Sequence, residues 1–229
     1  KCKRCPANTV AIKKLNSKSE ATEEFRFQRC VKSAKVAQAY DFFKKGKESY
    51  IVMEFLGKGW EQGYVWWERK SGQISKEVFE TVADDLLTGL EAMHHEHIIH
   101  NDLKLQNTMI KDGRRIEAKW LDFGFAKEGN ERAYNVTKGS TGGTLAYAAP
   151  ERQFLRAFGE RSDVWSLGAI FHMLLVRELP TPPPQRPPKE SYSTIPYSTH
   201  KVDQWVVDAG YTRLVDQMLA YDYPDRPSV

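Results

Sequence analysis

His100-Asn101-Asp102-Leu103-Lys104-Leu105-Gln106-Asn107 is followed, fifteen residues after Asn107, by Asp122-Phe123-Gly124, and the reading of this chain turns on that pair of segments. A turn rich in Asp and Asn would account for either segment alone. Their order and separation ask for more. A carboxylate and a carboxamide on neighbouring loops are hard oxygen donors of the kind Mg2+ takes. A second carboxylate can orient an attacking hydroxyl and accept its proton. A Lys two residues beyond it can reach a migrating phosphate as a point charge. Together these are the parts that phosphoryl transfer needs, because that reaction is mostly positioning and charge stabilisation.

On the N-terminal side, Lys76 to His95 places Val78, Val82, Leu86, Leu87, Leu90 and Met93 at spacings of three and four, which predicts an amphipathic helix. On the C-terminal side, Met109-Ile110, Asp112-Gly113 and Ile116 to Leu121 predict a hairpin closed by an Asp-Gly turn. Thr9 to Ile12, Tyr50 to Met53 and Val36 to Phe43 read as strands. Glu20 to Val31, acidic early and basic late, reads as a helix. Val164 to Leu175 predicts a buried helix, and Val206 to Leu219 another. Pro180 to Pro188 predicts an exposed connection, either a rigid linker or a docking site for a proline-recognition partner. A small β-rich unit at residues 1–56 followed by a larger helical one at 57–229 is the organisation expected.

The pattern resembles the protein kinase superfamily through nearly the whole chain. Val10-Ala11-Ile12-Lys13 is similar to the strand whose Lys holds the α- and β-phosphates of ATP. Tyr50 to Leu56 resembles the gatekeeper and hinge, which puts Met53 at the gate and the backbone of Glu54 and Leu56 against adenine. By the same resemblance Asp102 is the catalytic base, Lys104 touches the γ-phosphate, and Asn107 and Asp122 bind Mg2+. Gly143 to Glu151 resembles the end of the activation segment, with Thr144 positioned to align the acceptor. Asp163-Val164-Trp165-Ser166-Leu167-Gly168 resembles the helix below it, with Asp163 bracing the catalytic loop beside a packed His100. Arg226 is the expected partner of Glu151. The resemblance implies an α+β, bilobal fold, ATP and Mg2+ as cofactors, and a protein carrying Ser or Thr as substrate. Lys104 and Thr144 favour Ser/Thr over Tyr. The alternative is a pseudokinase, a nucleotide-binding scaffold with little turnover. A small-molecule kinase would lack Ala149-Pro150-Glu151 and the Arg226 partner.

Several positions depart from the family pattern. No glycine precedes Val10, so the Gly-rich phosphate loop is expected upstream of residue 1, and the chain reads as truncated at both ends. Without that loop the chain is expected to bind ATP poorly. Asn101 stands where the family carries an Arg that pairs with a phosphorylated activation loop, which implies little dependence on phosphorylation at Thr137, Ser140 or Thr141. The acidic partner of Lys13 is expected at Glu24, although Glu24 puts polar Gln28 where an apolar side chain usually packs; Glu23 would put Phe27 there.

Composition excludes other classes. With 34 basic and 30 acidic residues the charge is +4, too balanced to argue for nucleic acid. No apolar run approaches a membrane span and no signal peptide is visible, so a cytoplasmic location is expected. Cys2, Cys5 and Cys30 make no disulfide framework, and the C-x-x-C of Cys2 and Cys5 has no second ligand pair, so free thiols are expected. His94, His95 and His97 fall where a helix ends, which favours cationic side chains over a metal site. Trp60, Trp66 and Trp67 are expected to be packing residues.

Overall fold

The computed structural model describes residues 9–15, 18–71, 73–129, 135–136, 144–155, 157–180 and 202–229. The Cys2–Cys5 pair, the segment before Thr9, the hydroxyls of Thr137, Ser140 and Thr141, Gly143 and the proline-rich connection beyond Pro180 lie outside them.

The chain opens with β1 (Val10–Leu15), α1 (Lys18–Cys30), β2 (Ala39–Lys45) and β3 (Glu48–Glu54). β3 is the central strand, antiparallel to both neighbours, with Lys13 opposite Ile51 and Phe42 opposite Ile51 on the other side. Its Ile51 and Val52 are buried, as β-branched residues on the middle of a sheet should be. The expected strand from Val36 starts only at Ala39. Val36 instead forms an isolated bridge to Trp120, because Gln38 turns its amide onto the carbonyls of Val31, Ser33 and Val36. Helix α1 buries Ala21, Glu24, Phe27 and Gln28 as one face at helical spacing.

The tryptophan-bearing stretch after the hinge forms β4 (Trp60–Gln62), which leads into α2 (Gly63–Arg69). Trp66 is fully buried and donates its indole N–H to Asp112 Oδ2 at 3.2 Å, which ties α2 to the hairpin turn. α3 (Lys76–His95) starts where expected, with the Ser75 hydroxyl accepting from Val78 N. Val82, Leu86, Leu90 and Met93 are buried along it with Phe79, while Val78 and Leu87 pack at its margin. β5 (Ile98–Ile99) precedes the Asp102 loop. β6 (Thr108–Lys111) and β7 (Glu117–Trp120) form the hairpin, with Thr108 opposite Trp120. β8 (Lys127–Glu128) pairs with β5, and β9 (Asn135–Val136) with β10 (Ala157–Phe158).

α4 (Glu160–Val176) is buried on all sides over nearly its whole length. Phe171 packs edge-on against Phe79 of α3 at 5.5 Å. The single helix expected over Val206 to Leu219 is two, α5 (Gln204–Asp208) and α6 (Tyr211–Met218), because Gly210 takes φ +72° and turns the chain. Among the described residues, no helix is long and apolar enough to cross a membrane. The architecture is α+β and bilobal, a small antiparallel sheet with one helix beside a larger, mainly helical lobe.

Candidate active site

Three elements distant in sequence meet at Lys13. Its ammonium donates to Glu24 Oε1 at 2.7 Å and to Asp122 Oδ1 at 2.8 Å. Burial alone would push the ammonium down, but the two carboxylates outweigh it and hold Lys13 above its ordinary value. The partner of Lys13 on α1 is therefore Glu24. Glu23 lies on the exposed side, 3.7 Å from Lys127. The doubt raised by Gln28 resolves in packing: both Phe27 and Gln28 are buried, and Gln28 donates its amide to Ala37 O at 2.7 Å.

Asp122 has φ +60°, and its Oδ1 also accepts from Gly124 N at 3.1 Å. Burial would raise its carboxyl, and Lys13 with the Gly124 N–H more than reverses this, so it is held below its ordinary value. The next side chain, Phe123, is buried with its ring 5.2 Å from the His100 ring.

Asp102 is buried and surrounded by donors. Oδ1 accepts from Thr144 N at 3.0 Å, and Oδ2 from Asn107 Nδ2 at 2.9 Å and Lys104 Nζ at 2.7 Å. Lys104 also donates to Thr144 Oγ1 at 2.8 Å. Asn107 Nδ2 gives its other hydrogen to Asp102 O at 2.8 Å. Both amide hydrogens are thereby used, which leaves Oδ1 as the ligating end of Asn107. With the Asp122 carboxylate this makes a hard-oxygen donor pair that fits Mg2+. Among the described residues, no three His, Cys, Asp or Glu side chains gather as a metal-holding group. The four histidines near the loop diverge: His95 is exposed beside Glu96, His97 takes φ +56°, and His94 and His100 are buried on different partners.

The loop is held from below by Asp163, which is fully buried. It accepts from His100 N at 2.7 Å and Asn101 N at 2.9 Å, and His94 Nε2 lies 3.3 Å from Oδ2. His100 Nε2 lies 3.0 Å from Leu121 O, which joins this loop to the strand before Asp122. Glu151 meets Arg226 in a buried two-point pair at 2.7 and 2.8 Å and also accepts from Ser162 Oγ at 2.6 Å. On the hinge, Met53 is half-buried, and Glu54 N is committed to Gln38 O at 2.9 Å.

Sequence reasoning missed three participants. His94 was read as a helix-end cation, yet it buries its ring against Asp163. Lys119 binds the Glu54 carboxylate at 2.6 Å, pinning the hinge strand to β7. Arg152 donates to the carbonyl of Asn101. The buried, apolar neighbours of His94 in α3 were a usable signal; the other two contacts span 65 and 51 residues and left none.

The family described as protein kinase domain matches residues 1–229, and the chain belongs to it. It is 30% identical over 184 residues, 78% of its length, to a probable serine/threonine-protein kinase zyg-1 of Caenorhabditis briggsae. It is 33% identical over 148 residues, 63% of its length, to the MAP kinase kinase MKK1/SSP32 of Saccharomyces cerevisiae. The hormonally up-regulated neu tumor-associated kinase of Mus musculus is 25% identical over 94% of the chain. These matches cover 25%, 28% and 27% of those relatives, so the chain spans little more than a quarter of their length.

Proposed function

We propose that this domain transfers the γ-phosphoryl group of Mg-ATP to a Ser or Thr hydroxyl of a protein, inside the cell. The observation that carries the reading is the convergence of donors on Asp102, with Thr144 and Lys104 bonded to it and to each other. In this reading Asp102 orients the acceptor hydroxyl. As the new oxygen–phosphorus bond forms and the bond to the ADP oxygen breaks, an Asp102 oxygen takes the hydroxyl proton. Lys104 lies against the γ-phosphate, and Thr144 selects an aliphatic hydroxyl. Lys13, set by Glu24, holds the α- and β-phosphates, while Met53, Glu54 and Leu56 border the adenine. Asn107 and Asp122 would hold Mg2+, which when bound offsets charge on the phosphate oxygens. His100 and Asp163 keep the loop in shape, and Glu151 with Arg226 anchors the end of the activation segment. In this reading residues 1–56 bring Lys13, Glu24 and the hinge to the nucleotide, and 57–229 bring the Asp102 loop, the Mg2+-holding pair and the substrate side.

The test is phosphate transfer from labelled ATP to Ser, Thr and Tyr peptides by the intact protein and its Asp102→Asn variant. Transfer to Ser or Thr that drops by about two to four orders of magnitude in the variant is expected. An intact protein that binds nucleotide and transfers nothing would be a scaffold, and the enzyme reading would fail.

A further inference from the structure

We infer that Arg152 is a positioning residue for this reaction, clamping from the activation-segment side the main chain that carries Asp102; the inference rests on the function proposed above. Asn101, one residue before Asp102, is buried with φ +65°, and its peptide groups are held from two directions. From below, its N–H donates to Asp163 Oδ1 at 2.9 Å. From the other side, its carbonyl accepts from the Arg152 guanidinium. That carbonyl belongs to the same peptide as the Asp102 N–H, so the bond fixes the plane from which the Asp102 side chain springs.

The side chain at position 101 does not do this itself. Asn101 carries no charge, and its Oδ1 is buried with no hydrogen-bond partner. Arg152 brings a cation to the site instead, and a guanidinium keeps its charge there. Burial pushes it below its ordinary value, while the charges of Asp163, Asp102 and Glu151 pull it back. These three carboxylates are the groups that the loop and its anchors present to it.

Arg152 is itself rigidly mounted. It follows Glu151, which is locked by Arg226 and Ser162, and it precedes Gln153, whose amide donates to Ala148 O at 2.6 Å. A continuous path runs from the buried Arg226–Glu151 pair through Arg152 to the Asn101 carbonyl and Asp102. The end of the activation segment thus sets the loop geometry through an arginine already in place.

The experiment compares Arg152→Gln and Arg152→Lys with the wild-type intact protein in two readouts. One is steady-state kcat and KM for ATP; the other is amide hydrogen exchange over residues 100–104, which needs no turnover. Arg152→Gln is expected to lower kcat about tenfold to a hundredfold, the scale on which small misplacements of a reacting group act. KM for ATP should stay within about twofold, since Lys13 and the hinge are untouched. Exchange at Asp102 and Leu103 should quicken about tenfold as local opening becomes easier. Arg152→Lys, which keeps the charge and stands in if the Gln variant does not fold, should recover part of both. Wild-type kcat or wild-type exchange in Arg152→Gln, or a change confined to KM, would overturn the inference and leave the kinase reading standing. If the wild-type protein transfers no phosphate, the kinase reading fails, and the exchange result alone decides whether Arg152 clamps the loop.

Discussion

Glu23 and Glu24 are adjacent and chemically alike, yet about 100° of helical rotation separates them. That rotation sends Glu24 into the interior against Lys13 and leaves Glu23 in solvent near Lys127. Counting along the chain favoured Glu24, but Gln28 argued against it, since four residues on a polar side chain would be buried. The objection lapses because the Gln28 amide finds the Ala37 carbonyl, a partner that no local pattern discloses. Without Glu24, Lys13 keeps only its bond to Asp122, a carboxylate proposed to hold Mg2+, and is free to leave the phosphate side, whereas an exposed carboxylate such as Glu23 contributes little. Glu24→Ala should therefore lower kcat/KM for ATP about a hundredfold. Glu23→Ala should stay within about twofold. Equal losses in the two variants, read by steady-state kinetics, would sink this assignment. His94 teaches a similar lesson: its place at the end of α3 suits the helix dipole, but its ring is turned onto Asp163.

Helix α3 was legible because its apolar residues recur at one period over twenty positions and Ser75 marks its start. The β6–β7 hairpin was legible from its two flanking apolar runs, but residues 112–116 close it as a five-residue loop rather than a two-residue Asp-Gly turn, because Lys111 pairs with Glu117. α5 and α6 were not, since their apolar residues continue at helical spacing across Gly210 and periodicity does not register a change of direction. Gly210 has open space around its Cα, so Gly210→Ala should cost only the left-handed backbone penalty, about 1 kcal/mol. Gly168 on α4 is the opposite case. A methyl group there would lie 2.8 Å from Met218 Cβ and 3.2 Å from Leu219 Cγ, forcing α6 off α4. Gly168→Ala should cost about 1–3 kcal/mol, even though Ala is the better helix former by about 1 kcal/mol. Urea denaturation of the two variants checks the order. A stabilised Gly168→Ala would show that the helices can separate without loss.

Asp163 joins α3, the Asp102 loop and α4 at one buried point. Burial would raise its carboxyl, but the His94 hydrogen bond, the nearby His100 and the Asn101 N–H outweigh that and hold it below its ordinary value. A carboxyl depressed by folding contributes stability that is complete above its unfolded value of about 3.9 and is lost as pH falls through the lower folded value. Asp163→Asn should therefore be less stable than wild type by about 3 kcal/mol at neutral pH. The gap should narrow as pH drops below about 4, measured by urea midpoints across that range. A gap that stays constant down to about pH 2 would refute a role for the ionised carboxylate. By itself the sequence determined the family, the main helices and the Asp102, Asn107 and Asp122 motifs on which the proposed chemistry rests, because periodicity and motif spacing are properties of neighbours. Only the tertiary structure decided that Glu24 is the partner of Lys13, that Gln28 can be buried, and that Arg152 stands over the Asp102 loop. Those outcomes depend on which donors and acceptors meet when water is excluded, and the groups that meet lie up to 51 residues apart.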